Sequence, residues 1–140
     1  MITVFWKALD PFAKEPTKSN PEDAGWDFYS LEDVILQPDK PTYVRTGVAI
    51  AIPFGWYGQF QERSGLARNS GVILGGGVID CGFRGEIGII AHTIFEPLTV
   101  KAGSKIAQMC FHQVPVATFR EVEELPPSVR GENGFGSSGT

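Results

Sequence analysis

The chain of 140 residues is 42% hydrophobic and 20% charged, with a net charge of −4, the make-up of one globular domain with a single core rather than of a disordered chain. The negative balance excludes a protein that coats nucleic acid, because such binding rests on neutralising many phosphates with Lys and Arg, yet a few arginines and oriented amides suffice for one small anion. No apolar run approaches the roughly 20 residues that span a bilayer, and two cysteines, Cys81 and Cys110, are too few for a disulfide framework and have no zinc-like spacing.

The N-terminus has no basic-then-apolar signal pattern, so a cytoplasmic setting is expected, or a host cytoplasm for a viral protein. Ten prolines and 17 glycines leave no room for a long amphipathic helix, while Val, Ile, Phe and Thr gather in short runs between them. The chain therefore reads as all-β. Strands are expected near Thr3 to Ala8, Thr42 to Ile52, Trp56 to Gln61, Val72 to Leu74, Glu86 to His92, Leu98 to Val100 and Lys105 to Thr118. Pro53-Phe54-Gly55, Gly75-Gly76-Gly77 and Lys101-Ala102-Gly103 supply turns. One short helix fits, from about Ser64 to Asn69. Physics alone leaves a sandwich, a barrel and a jelly roll open. From about Arg120 the composition changes to acidic, then proline-rich, then glycine-rich. That stretch is either a disordered tail or a flap that folds over a ligand, with Phe135 set among glycines as a stacking face.

No Walker loop is present, so a polyphosphate site would have to be assembled from other parts. Glu62-Arg63-Ser64-Gly65-Leu66-Ala67 sets a cation, a hydroxyl and a glycine where a strand gives way to a helical turn. Such donors suit a phosphate, although Ser64 could equally be an N-cap. In Gly77-Val78-Ile79-Asp80-Cys81-Gly82-Phe83-Arg84-Gly85 an aspartate ends an apolar pair at a turn. A carboxylate there suits a general base toward water, or plain turn chemistry. Asp27 lies between apolar neighbours in Ala24-Gly25-Trp26-Asp27-Phe28-Tyr29-Ser30, where it would be a surface strand residue or an acidic ligand, and Gln108 sits in a strand within Lys105-Ile106-Ala107-Gln108.

Taken in order, the segments Ala24 to Ser30, Arg63 to Ala67, Gly77 to Gly85, Lys105 to Gln108 and Arg130 to Gly139 resemble the five motifs of the trimeric dUTPase family, over nearly the whole chain. The resemblance implies a distorted jelly-roll body over residues 1–119. A C-terminal arm over 120–140 would close a neighbouring subunit's site in a homotrimer whose three sites are each built by all three chains. The implied reaction is hydrolysis of dUTP to dUMP and pyrophosphate with magnesium. Asp80 would orient the attacking water. Ser64 would bind near the α–β bridge, helped by Arg63, Gly65 and Gln108, and Asp27 would hold the ion through water, as suits a cation reluctant to dehydrate. Main-chain groups of Gly77, Val78 and Ile79 would read the uracil edge, with Phe83 beneath the deoxyribose. In the arm, Arg130, Ser137 and Ser138 would meet the γ-phosphate, Phe135 would cover the base, and Gly136 beside it would also bind substrate.

Phe83 departs from the tyrosine usual in the family, Gly82 from a common acidic residue, and Asn133 from a glycine. Trp26 and Trp56 are read as buried or interface aromatics. Two rivals carry different functions. A dCTP deaminase shares the fold but needs a glutamate about ten residues past the hairpin aspartate, where this chain has Ile90. A partner-binding regulatory role is compatible with the same trimer.

Overall fold

The computed structural model describes residues 1–136 and 139. Among the described residues ten strands and one helix run in order: β1 (Phe5–Ala8), β2 (Trp26–Tyr29), β3 (Val34–Leu36), β4 (Thr42–Ala51), β5 (Trp56–Gln61), α1 (Ser64–Ser70), β6 (Val72–Gly75), β7 (Val78–Asp80), β8 (Glu86–Thr93), β9 (Leu98–Val100) and β10 (Lys105–Gln113). They form two four-stranded sheets, β1-β4-β8-β6 and β2-β10-β5-β7, and a ribbon of β3 and β9, all pairs antiparallel. This is the all-β, jelly-roll-like architecture expected.

The inner faces of the sheets meet in one core. Val44, Ile50, Val72, Ile87, Ile89 and Ala91 come from the first sheet and Phe28, Phe60, Ile106 and Met109 from the second, with Leu36 and Val100 of the ribbon sealing one side. Burial alternates cleanly along β8, where Ile87, Ile89, Ala91 and Thr93 are buried, the two-residue period of a strand with one face inward. Phe28 and Phe60 meet edge to face at 5.1 Å, fixing β2 against β5 across β10. Asp33 clips the ribbon to its neighbouring turn by accepting the Ala102 N–H at 2.8 Å and pairing with Lys101. That backbone donor, with the lysine, holds its carboxyl below the usual aspartate value.

Two left-handed glycines steer the chain between elements. Gly71, at φ 62°, ends α1, its N–H returning to the Ala67 and Leu66 carbonyls. Gly76, at φ 58°, turns the chain from β6 in the first sheet to β7 in the second. Its neighbour Gly77 must stay small, because a Cβ would lie 2.9 Å from the Gln59 amide nitrogen and 3.2 Å from the Phe60 carbonyl.

The last expected strand is shorter than the sequence suggested, ending at Gln113 instead of Thr118. Pro115 has no N–H to donate to a ladder, and among the described residues no strand pairs with this stretch. After Val114 N–H meets the Gly55 carbonyl at 2.8 Å, every described residue is exposed, and the remaining hydrogen bonds of the segment are local. Ser137 and Ser138, expected at the γ-phosphate, lie outside the described residues.

Candidate active site

Four of the five motifs bear on two separate places. The first is a polar recess of about 260 Å³ bordered by Ser19, Gly25, Asp27, Arg63, Ser64 and Gln108. Its frame is the row β2-β10-β5, in which Asp27, Gln108 and Gln61 stand directly opposite one another. Asp27 is no surface strand residue: it is 8% exposed, and its backbone exchanges hydrogen bonds with Thr17. Its two oxygens are divided between cations, Oδ1 to Arg63 Nε at 3.0 Å and Oδ2 to Lys105 Nζ at 2.7 Å. Gln108 Nε2 donates to the Glu62 carbonyl at 3.0 Å, while the Glu62 carboxylate accepts the Leu74 N–H at 3.1 Å. The strand-to-helix turn carrying Arg63 is thus tied to both sheets. Gly25 lies so close over Gln108 that a Cβ would fall 2.4 Å from Gln108 Oε1.

Ser64 is the first residue of α1 and not its N-cap. Arg63 takes the cap position with extended φ and ψ, and no side chain caps the helix. The Ser64 hydroxyl is therefore free of the role that competed with phosphate binding, and it borders the recess. A Cβ on Gly65 would meet nothing within 4 Å, so packing inside the chain does not call for glycine there.

The second place is β7 with its turn. Asp80 ends the strand, and its carbonyl accepts the Phe83 N–H at 3.1 Å in a tight turn. Its side chain is exposed, as is Phe83. Strand β7 is the edge of its sheet, paired to β5 as Gln59 with Val78, Gly58 with Ile79 and Tyr57 with Asp80. Alternate main-chain N–H and C=O groups of an edge strand point away from the ladder and stay unpaired within the chain. Ile90 packs beside the Gly75–Gly76 turn, where the deaminase reading needs a carboxylate.

These two places do not meet. Asp27 and Asp80 lie on opposite edges of one sheet, three strand spacings apart sideways and four residues apart along β5, a separation of roughly 20 Å at ordinary strand spacing and rise. Arg130 and Phe135 are exposed and touch neither. The described chain thus gathers Asp27, Arg63, Ser64, Gly65 and Gln108 in one place and leaves Asp80, Phe83, Arg130 and Phe135 apart from them.

Lys105 and Ser19 escaped the sequence reading. In a regular strand residues 105 and 108 face opposite sides. A register shift between Lys105 and Ala107, with Ile106 and Ala107 both buried, brings Lys105 to the side of Gln108. Two adjacent core residues inside an alternating run were the available signal. Ser19 accepts from Lys105 Nζ at 2.9 Å in a loop with no pattern to read. Trp26, left without a role, borders an apolar cavity of about 290 Å³ with Trp6, Phe28 and Phe111, and Lys18 Nζ stands 5.4 Å from its ring centre.

A polar recess at a strand-to-helix turn, bordered by a guanidinium and a free hydroxyl on a jelly-roll-like body, suits an anionic ligand, and comparison narrows the class. A family model described as dUTPase matches residues 12–139. The deoxyuridine 5'-triphosphate nucleotidohydrolase of Nocardia farcinica is 42% identical over 95% of this chain and 83% of its own length. That of Yaba monkey tumor virus is 39% identical over 97% and 96%. Among solved structures, a mutant dUTPase of Staphylococcus bacteriophage 80alpha with dUpNHpp matches at TM-score 0.93 and 28% identity over the full length of both chains. A dUTPase of phage phi11 of Staphylococcus aureus, described with a structural Mg(II) ion, matches at TM-score 0.81 and 25% identity over 88% of this chain and 98% of its own. The chain belongs to the dUTPase family.

Proposed function

We propose that the protein hydrolyses dUTP to dUMP and pyrophosphate at composite sites shared between copies of the chain. The observation that carries this reading is the recess that gathers Asp27, Arg63, Ser64, Gly65 and Gln108 from three motifs around a polar hollow of about 260 Å³, with Asp27 already paired to Arg63 and Lys105. The family match and the dUpNHpp-bound phage relative support the choice of substrate.

In this reading the polyphosphate lies in the recess of one chain, with the Ser64 hydroxyl, the Gly65 N–H, the Gln108 amide and the Arg63 guanidinium donating to its oxygens. A second chain presents β7. Asp80 accepts a hydrogen bond from a water and takes its proton as the water oxygen bonds to the α-phosphorus. The bond from that phosphorus to the bridging oxygen breaks, and pyrophosphate departs with the electron pair. Positioning and charge neutralisation do most of the work, as in phosphoryl transfer generally.

The donor set bears on magnesium as well. No cluster of three or more His, Cys, Asp or Glu side chains suited to a metal occurs among the described residues, and both oxygens of Asp27 are engaged by cations. That set fits an ion which arrives on the triphosphate and keeps its waters, with Asp27 accepting from one of them; it does not fit a direct protein cage. When bound, the ion neutralises phosphate oxygens. Arg130, Ser137 and Ser138 of a third chain would reach the γ-phosphate, and Phe135 with Gly136 would close over the base. Residues 120–140 thus act as an arm and residues 1–119 as the body. The apolar side chains Leu125 and Val129 of the arm, with Val116 and Phe119 just before it, all at least 84% exposed, support a seat for this stretch on a homotrimeric partner.

Main-chain groups of Gly77, Val78 and Ile79 that do not pair with β5 would match the uracil edge; the Gly77 carbonyl is already taken by the Phe60 N–H at 2.8 Å. Cytosine would oppose donor to donor, at about 1–3 kcal/mol for each mismatched buried group, and the thymine methyl would overpack the backbone wall. Phe83 beneath the sugar leaves no room for a 2'-hydroxyl. The test is turnover of dUTP, dCTP, dTTP and UTP with magnesium, with products identified. Expected is dUMP and pyrophosphate from dUTP, with kcat/KM at least about 30-fold above that for dCTP, as two such mismatches imply, and above those for dTTP and UTP. Ammonia released from dCTP, or equal turnover of dCTP, would overturn the reading.

A further inference from the structure

We infer that Lys105 is a positioning residue that keeps the outer guanidinium nitrogens of Arg63 available to the phosphates; this rests on the polyphosphate reading of the recess. Carboxylate and guanidinium favour a two-nitrogen fork. The protein contains such a fork where no lysine competes: Glu86 receives both Nε and Nη2 of Arg45, at 3.2 to 3.3 Å. Asp27 and Arg63 differ. Only Nε reaches Asp27, at Oδ1, because Lys105 Nζ holds Oδ2 at 2.7 Å. Among the described residues neither Nη of Arg63 has a hydrogen-bond partner, and the side chain, 35% exposed, borders the recess.

Lys105 is itself held in place. Ser19 Oγ takes a second of its donors at 2.9 Å, and the irregularity at Ile106 sets its stem on the outer face beside Gln108. With Lys105 removed, Oδ2 of Asp27 is left beside an unsatisfied guanidinium, and the fork seen at Arg45 becomes the favoured arrangement. An Nη would then be spent on Asp27 instead of on substrate. Lys105 thus acts through Asp27 and Arg63, without needing to touch the nucleotide.

The test is calorimetric binding of dUpNHpp with magnesium, alongside steady-state turnover of dUTP. Lys105→Met is expected to weaken binding about tenfold or more, equivalent to about 1.4 kcal/mol, and Lys105→Arg to restore it to within about threefold of the parent. In an Asp27→Asn background, where no carboxylate competes for Arg63, Lys105→Met is expected to add less than about a twofold loss. Parent-like binding by Lys105→Met, or a full further loss in the Asp27→Asn background, would overturn the inference, the latter by making Lys105 a direct phosphate ligand. Should Lys105→Met fail to fold, Asp27→Asn with and without Lys105→Met carries the same comparison with no carboxylate left short of a partner. A parent protein that hydrolyses dUTP while the variants show no such pattern sinks this inference alone. A parent that neither binds the analogue nor turns over dUTP sinks the site reading with it.

Discussion

Asp80→Asn is expected to lower kcat for dUTP by about a thousandfold, within the range that a positioned general base contributes. The substitution keeps shape and a hydrogen-bonding oxygen but removes the proton acceptor, so the water can still be held and no longer deprotonated. Binding of dUpNHpp should stay within about threefold, since no phosphate donor is lost. The fold should be indifferent. Asp80 is exposed at the end of an edge strand, its side chain makes no hydrogen bond or ion pair among the described residues, and such surface changes shift stability by no more than about 0.5 kcal/mol. Pyrophosphate release and a thermal melt read both halves of this expectation. Parent-like kcat in the folded variant would take Asp80 out of the base role and leave it a turn residue.

Deletion of Arg130 to Thr140 has the second largest expected effect, a fall in kcat/KM of at least about a hundredfold, the scale of losing one positioning clamp. The deleted segment includes Arg130 and Phe135, both fully outside the body. Phe135 is exposed, and Arg130 bonds only to Asn133 within its own segment. An aromatic with no seat in its own chain, set among glycines, has a use when something else supplies the other face. Because no hydrogen bond or ion pair joins the body to the described residues of this segment, the melting temperature of the truncated protein should match the parent. Phe135→Ala separates covering the base from binding the γ-phosphate and should account for part of the loss. Unchanged turnover after the deletion would make the segment a tail.

The sequence announced some of this and hid the rest for physical reasons. Strands with long β-branched runs, such as β4 and β8, were legible because one buried face imposes a two-residue period. Helix α1 was expected from about Ser64 to Asn69 and runs one residue further, to Ser70. Strands β2, β3 and β7, of three or four residues each, are too short to show a period and are absent from the strands expected. β3 exists because Leu98 to Val100 lies beside it, sixty-odd residues away, and no local pattern reports that pairing. The motifs were legible, but the places they take on the sheet were not. Spacing along the chain does not reveal that β7 and β2 occupy opposite edges of one sheet; only the strand order does. Lys105 was hidden by the bulge that reverses its side.

Mixing two defective variants tests the shared site most directly. Asp80→Asn keeps an intact recess, and Ser64→Ala keeps an intact β7. Refolded together in equal amounts, they should recover about a quarter of parental dUTP turnover, because one site in four then draws its aspartate and its serine from unaltered copies. A mixture no more active than the average of its two components would place Asp80 and Ser64 in the same chain's site and contradict the arrangement proposed.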